Sequence, residues 1–416
     1  MKLPIRLPTE LVCRSFALYS ILFLNFHQLQ RTTNAFTTFP TKPNTSSGYY
    51  LSTRNKFGLE SHVWDTLNEA AVLDPATETQ CNALDGVIWK GTNNFFESIT
   101  TIINTNNKPS KEEYVLVVVM PQLGDFDSAE YAELLSCVQE DLRRAKIKLR
   151  VIGIGDVSSA KRFAAFSGLD LESIRVDPTG NVHRSLGLHR GPNWDVPSFV
   201  PEVFLNWFSD YVGAENDATR DSKAIFRSWL NYMAMCAGIA SPDTLPEILR
   251  GYTGDKNSPE RIQPNEIVTV GGTTSSQNER EVKDPFIAIT GTTDVKLGPF
   301  KYQQAWKKEL GYQRPLELAT VRLRIMVEVL SNFAEYVPDQ RHLDLRGATY
   351  LFRREVQKDG KKNYTPALVY EHIDTGVLSY SKTMGRPISF LESFIGKTAL
   401  NPLGLGDVAG ERKAQK

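Results

Sequence analysis

The chain has 416 residues, 48 of them basic and 48 acidic, with 41% hydrophobic residues and a mean hydropathy of −0.30, the profile of a soluble globular protein. Residues 1–60 hold 7 bases and 2 acids, so the remainder carries 41 against 46 with no Lys/Arg-rich block. This argues against nucleic acid as a partner, because neutralising phosphates needs clustered cations. Four cysteines without a CxxC or other ligand spacing argue against a disulfide framework and a zinc site.

Residues 1–35 carry Lys2, Arg6 and Arg14 ahead of the apolar run Phe16–Phe26, too short to span a bilayer and built like a signal-peptide core. The junction Asn34-Ala35-Phe36-Thr37-Thr38-Phe39-Pro40 follows, then a Ser/Thr-rich stretch with Lys42, Arg54 and Lys56 and no acid before Glu60. This resembles the Ala-Phe-x-Pro junction and transit segment of bipartite plastid presequences. Residues 1–35 are therefore expected to be a signal peptide and 36–60 a transit-like segment, directing the chain to the plastid stroma or thylakoid surface. An ordinary secretory signal ahead of a tail is the other reading.

Residues 61–112 read as an N-terminal helical extension, with Val63, Leu67 and Ala71 at helical spacing. Strand and helix then alternate. Tyr114–Met120 is a continuous β-branched run, the mark of a strand covered on both faces. A helix is expected over Ser128–Ala145, with Tyr131, Leu134, Leu135, Val138 and Leu142 on one side. A strand over Lys148–Gly155, a helix over Ser158–Ser167 and a short strand at Ile174–Val176 come next. The Asp177-Pro178-Thr179-Gly180 turn and a helix through Leu186 complete the α/β pattern.

From about 190 to 310 the rhythm breaks. Ser222–Ile239 is an apolar helix, Ser241–Gly251 a short capped one, and the Thr/Gly/Ser-rich Pro264–Pro299 a long loop or loose hairpin. Trp207 and Trp229 suit either a buried core or, through the 222–239 helix, a membrane or partner surface; only Lys223 and Arg227 are basic there, which favours the core. Order returns with a helix over Leu316–Tyr336, a hairpin of Gly347–Val356 and Pro366–Asp374, and a closing helix at Phe390–Gly396. Residues 398–416 are expected to be a flexible tail.

Three stretches carry a family resemblance: Pro121-Gln-Leu-Gly-Asp125-Phe-Asp-Ser128, Asp177-Pro-Thr-Gly180, and Leu345-Arg346-Gly347-Ala-Thr-Tyr-Leu-Phe352. Together they resemble the peroxiredoxin (AhpC/TSA) pattern. Val369-Tyr-Glu-His372-Ile-Asp374-Thr-Gly376-Val-Leu378 is similar to its peroxiredoxin-like 2 branch. The resemblance covers roughly 110–190 and 345–397 and leaves the insert outside. It implies a thioredoxin-like α/β fold over 113–397, a mixed sheet with helices on both faces, interrupted by a mostly helical insertion.

It also implies a peroxidatic cysteine at the first turn of the helix after Pro121, where the helix N-terminus and an Arg would stabilise a thiolate. No Cys lies there. Counting from Pro121 puts Ser128 at that position, and aligning on the helix puts Asp127 there. Neither can cycle through a sulfenic acid. Asp125 stands where the family has a peroxide-binding Thr, and Arg346 matches a family active-site Arg. The plainer account of Asp127-Ser128-Ala129-Glu130 is a helix capping box with Asp127 as the cap.

Among other thiols, Cys137 lies nine residues beyond Ser128, about 13 Å along a helix, and flanks the apolar stripe as a packed residue. Cys236 is expected to pack on the insert helix. Cys81, after the polar Glu78-Thr-Gln80, is the thiol expected to be most exposed. His183, His189, His342 and His372 form no ligand pattern, and His372 reads as a surface residue. Gly153, Gly155 and Gly271-Gly272 lack phosphate-cradling spacing, so neither cofactor nor metal is expected. The sequence therefore points to a peroxiredoxin-related plastid protein that has lost peroxidase chemistry and acts as a binding, assembly or redox accessory module for protein partners. The rival reading is a thiol-dependent antioxidant oxidoreductase using a non-standard Cys such as Cys81.

Overall fold

The computed structural model describes residues 56–87, 113–214, 221–241, 244, 324–356, 364–378 and 388–399, with short strands between 267 and 302. Nearly all of these belong to one unit running from Gly58. The signal peptide, most of the transit-like segment, most of the Ser241–Gly251 helix and all but the first two residues of the 398–416 tail lie outside the described residues; those two belong to a helix that ends at Ala399.

The elements in order are α1 (Lys56–Glu69), β1 (Ala71–Asp74), β2 (Thr79–Asn82), β3 (Tyr114–Gln122), α2 (Phe126–Arg144), β4 (Ile147–Ile154), α3 (Val157–Ser167), β5 (Ile174–Val176) and α4 (Asn181–Ser185). The insert brings α5 (Glu202–Tyr211), α6 (Ser222–Cys236) and six short strands. These are β6 (Ile267–Val270), β7 (Thr273–Thr274), β8 (Val282–Lys283), β9 (Ile287–Thr290), β10 (Val295–Leu297) and β11 (Phe300–Tyr302). Residues 324–331 are helical, and α7 (Phe333–Tyr336), β12 (Ala348–Val356), β13 (Tyr364–Ile373) and α8 (Glu392–Ala399) follow.

The main sheet has seven strands in the order β13-β12-β3-β4-β5-β1-β2. β3, at its centre, runs parallel to β4 and antiparallel to β12. Its residues alternate between two cores, as the pleat requires. Leu116, Val118 and Met120 pack with Leu135, Val138 and Phe163 of α2 and α3. Val115, Val117 and Val119 pack with Trp64 and Leu67 of α1 and Phe352 of β12. Full burial of each such side chain contributes about 1.5–3 kcal/mol relative to exposure. Pro121, which has no N–H, interrupts the ladder to β4, and pairing resumes at Gln122 with Ile154. The chain is thereby turned out of the sheet into the loop that starts α2.

Three local expectations change. Residues 71–82 form a hairpin rather than more helix; its strands are only four residues long and β2 is polar, so neither periodicity nor β-branching marks it. The Thr/Gly/Ser-rich stretch, expected to be a loop or loose hairpin, supplies β6, β9 and β10 of a four-stranded antiparallel sheet, β11-β10-β9-β6, whose last strand lies just beyond it. α5 forms where no helix was expected, with Leu205 and Phe208 buried at helical spacing after a Pro-rich approach. No described helix is long and apolar enough to cross a membrane.

Candidate functional site

α2 begins at Phe126, two residues earlier than a cap at Asp127 would allow. The cap is Asp125, whose Oδ1 accepts from the Asp127 N–H at 2.9 Å. With Asp125 in that role, the capping box expected around Asp127 does not form. The third helical residue is Ser128, and its hydroxyl turns back to donate to Gln122 O at 2.9 Å.

Asp127 is thus released for a different contact. Arg346, at the entrance to β12 and 1% exposed, donates from Nη1 to Asp125 Oδ2 at 2.6 Å and from Nη2 to Asp127 Oδ2 at 2.9 Å. Its Nε–H reaches Gly376 O at 3.2 Å, and its own N–H donates to His189 O at 2.9 Å. The Leu378 N–H donates to Asp127 Oδ2 at 2.7 Å. Burial opposes the charge on Arg346, but Asp125 and Asp127 outweigh it and its pKa is raised. One guanidinium therefore ties together the start of α2, the start of β12 and the 376–378 turn. Of the two candidate residues, Asp127 meets the arginine and Ser128 does not.

Gly347 makes this approach possible. A Cβ there would lie 2.3 Å from Val119 O and 2.9 Å from Asp374 Oδ2. Nearby, the Asp374 N–H donates to Gly347 O at 3.0 Å, and Asp374 Oδ1 lies 3.0 Å from His372 Nε2. His372 is buried, not the surface residue expected; the carboxylate two residues on gives it a polar partner inside. Tyr131 OH and Thr349 Oγ1 are 3.2 Å apart, and burial drives the phenol pKa far up.

The Asp177-Pro-Thr-Gly motif is a helix entry. Asp177 accepts from the Thr179 N–H and hydroxyl with Oδ1 and from the Val182 N–H with Oδ2, while Gly180 takes φ +65°. His183 behind it is fully buried, its Nε2 2.7 Å from Met120 O. Burial lowers its pKa to about 4, against the pull of that carbonyl and of Asp177. Burial also lowers His189, with Arg346 adding to the effect.

The thiols distribute differently from expectation. Cys137 is exposed rather than packed, and Cys81, expected to be the most exposed, is half-buried. Cys81 faces Val72 across the hairpin, beside Arg175 and the buried Arg150. Burial still raises its pKa despite the hydrogen bond from Arg175. Cys236 packs, as expected, against the cluster of Met235, Val377 and Leu378. It lies one helical turn beyond Tyr232, whose phenol is close enough to influence Arg346. Trp229 is packed, its Nε1–H donating to Gln340 Oε1 at 2.8 Å, whereas Trp207 is more exposed than a core residue.

The family model for AhpC/TSA antioxidant enzymes matches residues 134–282. The match begins inside α2, beyond Asp125, Asp127 and Ser128. It runs on through much of the segment that the resemblance had left outside as an insert. No curated protein and no solved structure matches the chain. The matched segment and the mixed sheet with flanking helices agree: the chain carries a peroxiredoxin-like AhpC/TSA domain of thioredoxin-like fold.

Proposed function

We propose that this peroxiredoxin-like domain has given up peroxide chemistry and serves in the plastid as a binding or assembly module. The observation that carries the reading is the engagement of Arg346 by Asp125 and Asp127. A peroxidatic cycle needs a thiolate beside the guanidinium at the first turn of the helix. Here a carboxylate holds that position, and a carboxylate cannot attack a peroxide oxygen and be regenerated through a sulfenic acid. Cys81 does not take over easily, since its raised pKa keeps it a thiol at neutral pH. Cys236, one turn from Tyr232, is a second thiol on which the rival reading can be tested.

The test is peroxide consumption by the purified chain, with thioredoxin or glutathione as reductant. No turnover above the protein-free rate is expected. Turnover that disappears in Cys236→Ser or Cys81→Ser would overturn the proposal in favour of a thiol oxidoreductase.

A further inference from the structure

Arg346 has two acids for one cation; just before it in the chain the ratio is reversed. Asp344 is fully buried and has two arginines against it. Arg190 Nη2 lies 3.2 Å from Asp344 Oδ2, and Nη2 of Arg227, on α6, lies 3.5 Å from the same oxygen. Arg190 Nη2 also donates to Oδ1 at 3.3 Å. Asp344 is anchored from below as well, its N–H donating to the Ser228 hydroxyl at 3.1 Å. One carboxylate neutralises one guanidinium, so this cluster keeps a positive charge in excess.

The arginines are also loosely held. Charge-assisted hydrogen bonds close to about 2.7–2.9 Å, as those of Arg346 do at 2.6 and 2.9 Å. Here Asp344 Oδ2 takes no hydrogen bond from either arginine, and Arg190 Nε has no partner among the described residues. The other contact of Arg227 is long, from Nη1 to Asn193 Oδ1 at 3.5 Å. No second acid makes up the balance. Asp195 is exposed, and Asp221 caps α6, its Oδ1 accepting from the Ala224 N–H at 3.0 Å. Among the described residues Asp344 is the acid in ion-pair contact with Arg190 or Arg227.

The layering sets the direction of approach. The Asp344 side chain is 0% exposed, whereas those of Arg190 and Arg227 are 27% and 20% exposed. The acid forms the floor and the cations the rim. An anion arriving from solvent meets two guanidiniums, partly withdrawn from the screening of bulk water. Their planar forks of donors match the paired oxygens of a carboxylate or phosphate.

We propose that Arg190 and Arg227 form a binding site for an oxyanion, a phosphate or carboxylate group that bridges the two guanidiniums above Asp344. This rests on the reading of the domain as a binding module and names the chemistry of its ligand.

The full chain is titrated calorimetrically with inorganic phosphate, sulfate and acetate, at ionic strength held constant with chloride. Saturable binding of at least one is expected, and the order among them tells a phosphate-like ligand from a carboxylate. Arg227→Gln leaves Arg190 on Asp344 and should weaken binding about tenfold or more. Arg227→Lys, which keeps the charge and loses the fork, should also weaken it, and keeps the test open if the Gln variant does not fold. Lys223→Gln, one turn earlier on α6, should bind as the native chain does. Any of three results overturns the proposal: no saturable binding of any probe, binding unchanged in both Arg227 variants (an adventitious ion only), or an equal loss in Lys223→Gln. Peroxide turnover would count against the loss of catalysis and leave a positive titration standing. A failed titration without turnover would remove only this site.

Discussion

Replacing Arg346 by Met keeps much of the side-chain volume and deletes the charge, so the loss can be assigned to electrostatics. In the native chain one buried cation sits 2.6 Å from Asp125 and 2.9 Å from Asp127, and all three side chains are nearly inaccessible to water. Taking away the guanidinium leaves two carboxylates facing each other in the interior. Asp127 then retains the Leu378 N–H and Asp125 the Asp127 N–H, which satisfy oxygens without neutralising charge. Breaking a buried pair costs about 3–5 kcal/mol. That is a large share of the roughly 5–15 kcal/mol that holds an ordinary domain folded. Arg346→Met should therefore lower the urea midpoint strongly, followed by circular dichroism on the purified chain. Neutralising the stranded acids in the same chain, with Asp125→Asn and Asp127→Asn, should recover more than half of the loss. A loss below about 1 kcal/mol, or a triple variant no more stable than Arg346→Met alone, would refute the view that this triad holds the segments together.

Three further outcomes follow from the same geometry. In a chain whose native cysteines are Ser, Asp127→Cys should show a lower thiol pKa than Ser128→Cys by thiolate absorbance, because only position 127 meets Arg346; the reverse order would restore the count from Pro121. Gly347→Ala must push β12 away from Val119 O and should destabilise by more than about 2 kcal/mol in urea unfolding, whereas tolerance would show that the strand can shift freely. His183 is held neutral in the fold, with its pKa near 4 against roughly 6.5 unfolded, so the unfolded chain binds the extra proton between those values. Stability should thus fall as pH drops from about 6.5 to 4, by up to about 3 kcal/mol from this group, and a slope unchanged in His183→Gln would contradict it.

The parts legible in the sequence were those with strong local signals. The β-branched run of β3 can only be a strand with both faces covered, and the stripe on α2 has one period. The hairpin of β12 and β13 shows itself because each strand is long. β1 and β2 are not legible because each is only four residues long and β2, at the sheet edge, is polar. Within the site, Arg346 and the two aspartates could be picked out of the sequence, but the contacts between them could not. Either Asp125 or Asp127 can cap a helix; in the fold Asp125 does so, and both reach an arginine more than two hundred residues away that no local pattern announces. Cys137 is exposed because it sits at the margin of a stripe that Leu134, Val138 and Leu142 already fill.

The persistence of the arginine says less about peroxide chemistry than it first suggests. A buried guanidinium needs an anion, and without one the cation would be stranded at a cost of several kcal/mol. An aspartate at position 127 supplies that anion and takes the Leu378 N–H as well. Asp125 supplies a second and caps α2 with its other oxygen. With those partners Arg346 is a tie between three segments distant in sequence. The residue that would speak for catalysis is a thiol able to reach the same guanidinium, and the described partners of Arg346 are all oxygens.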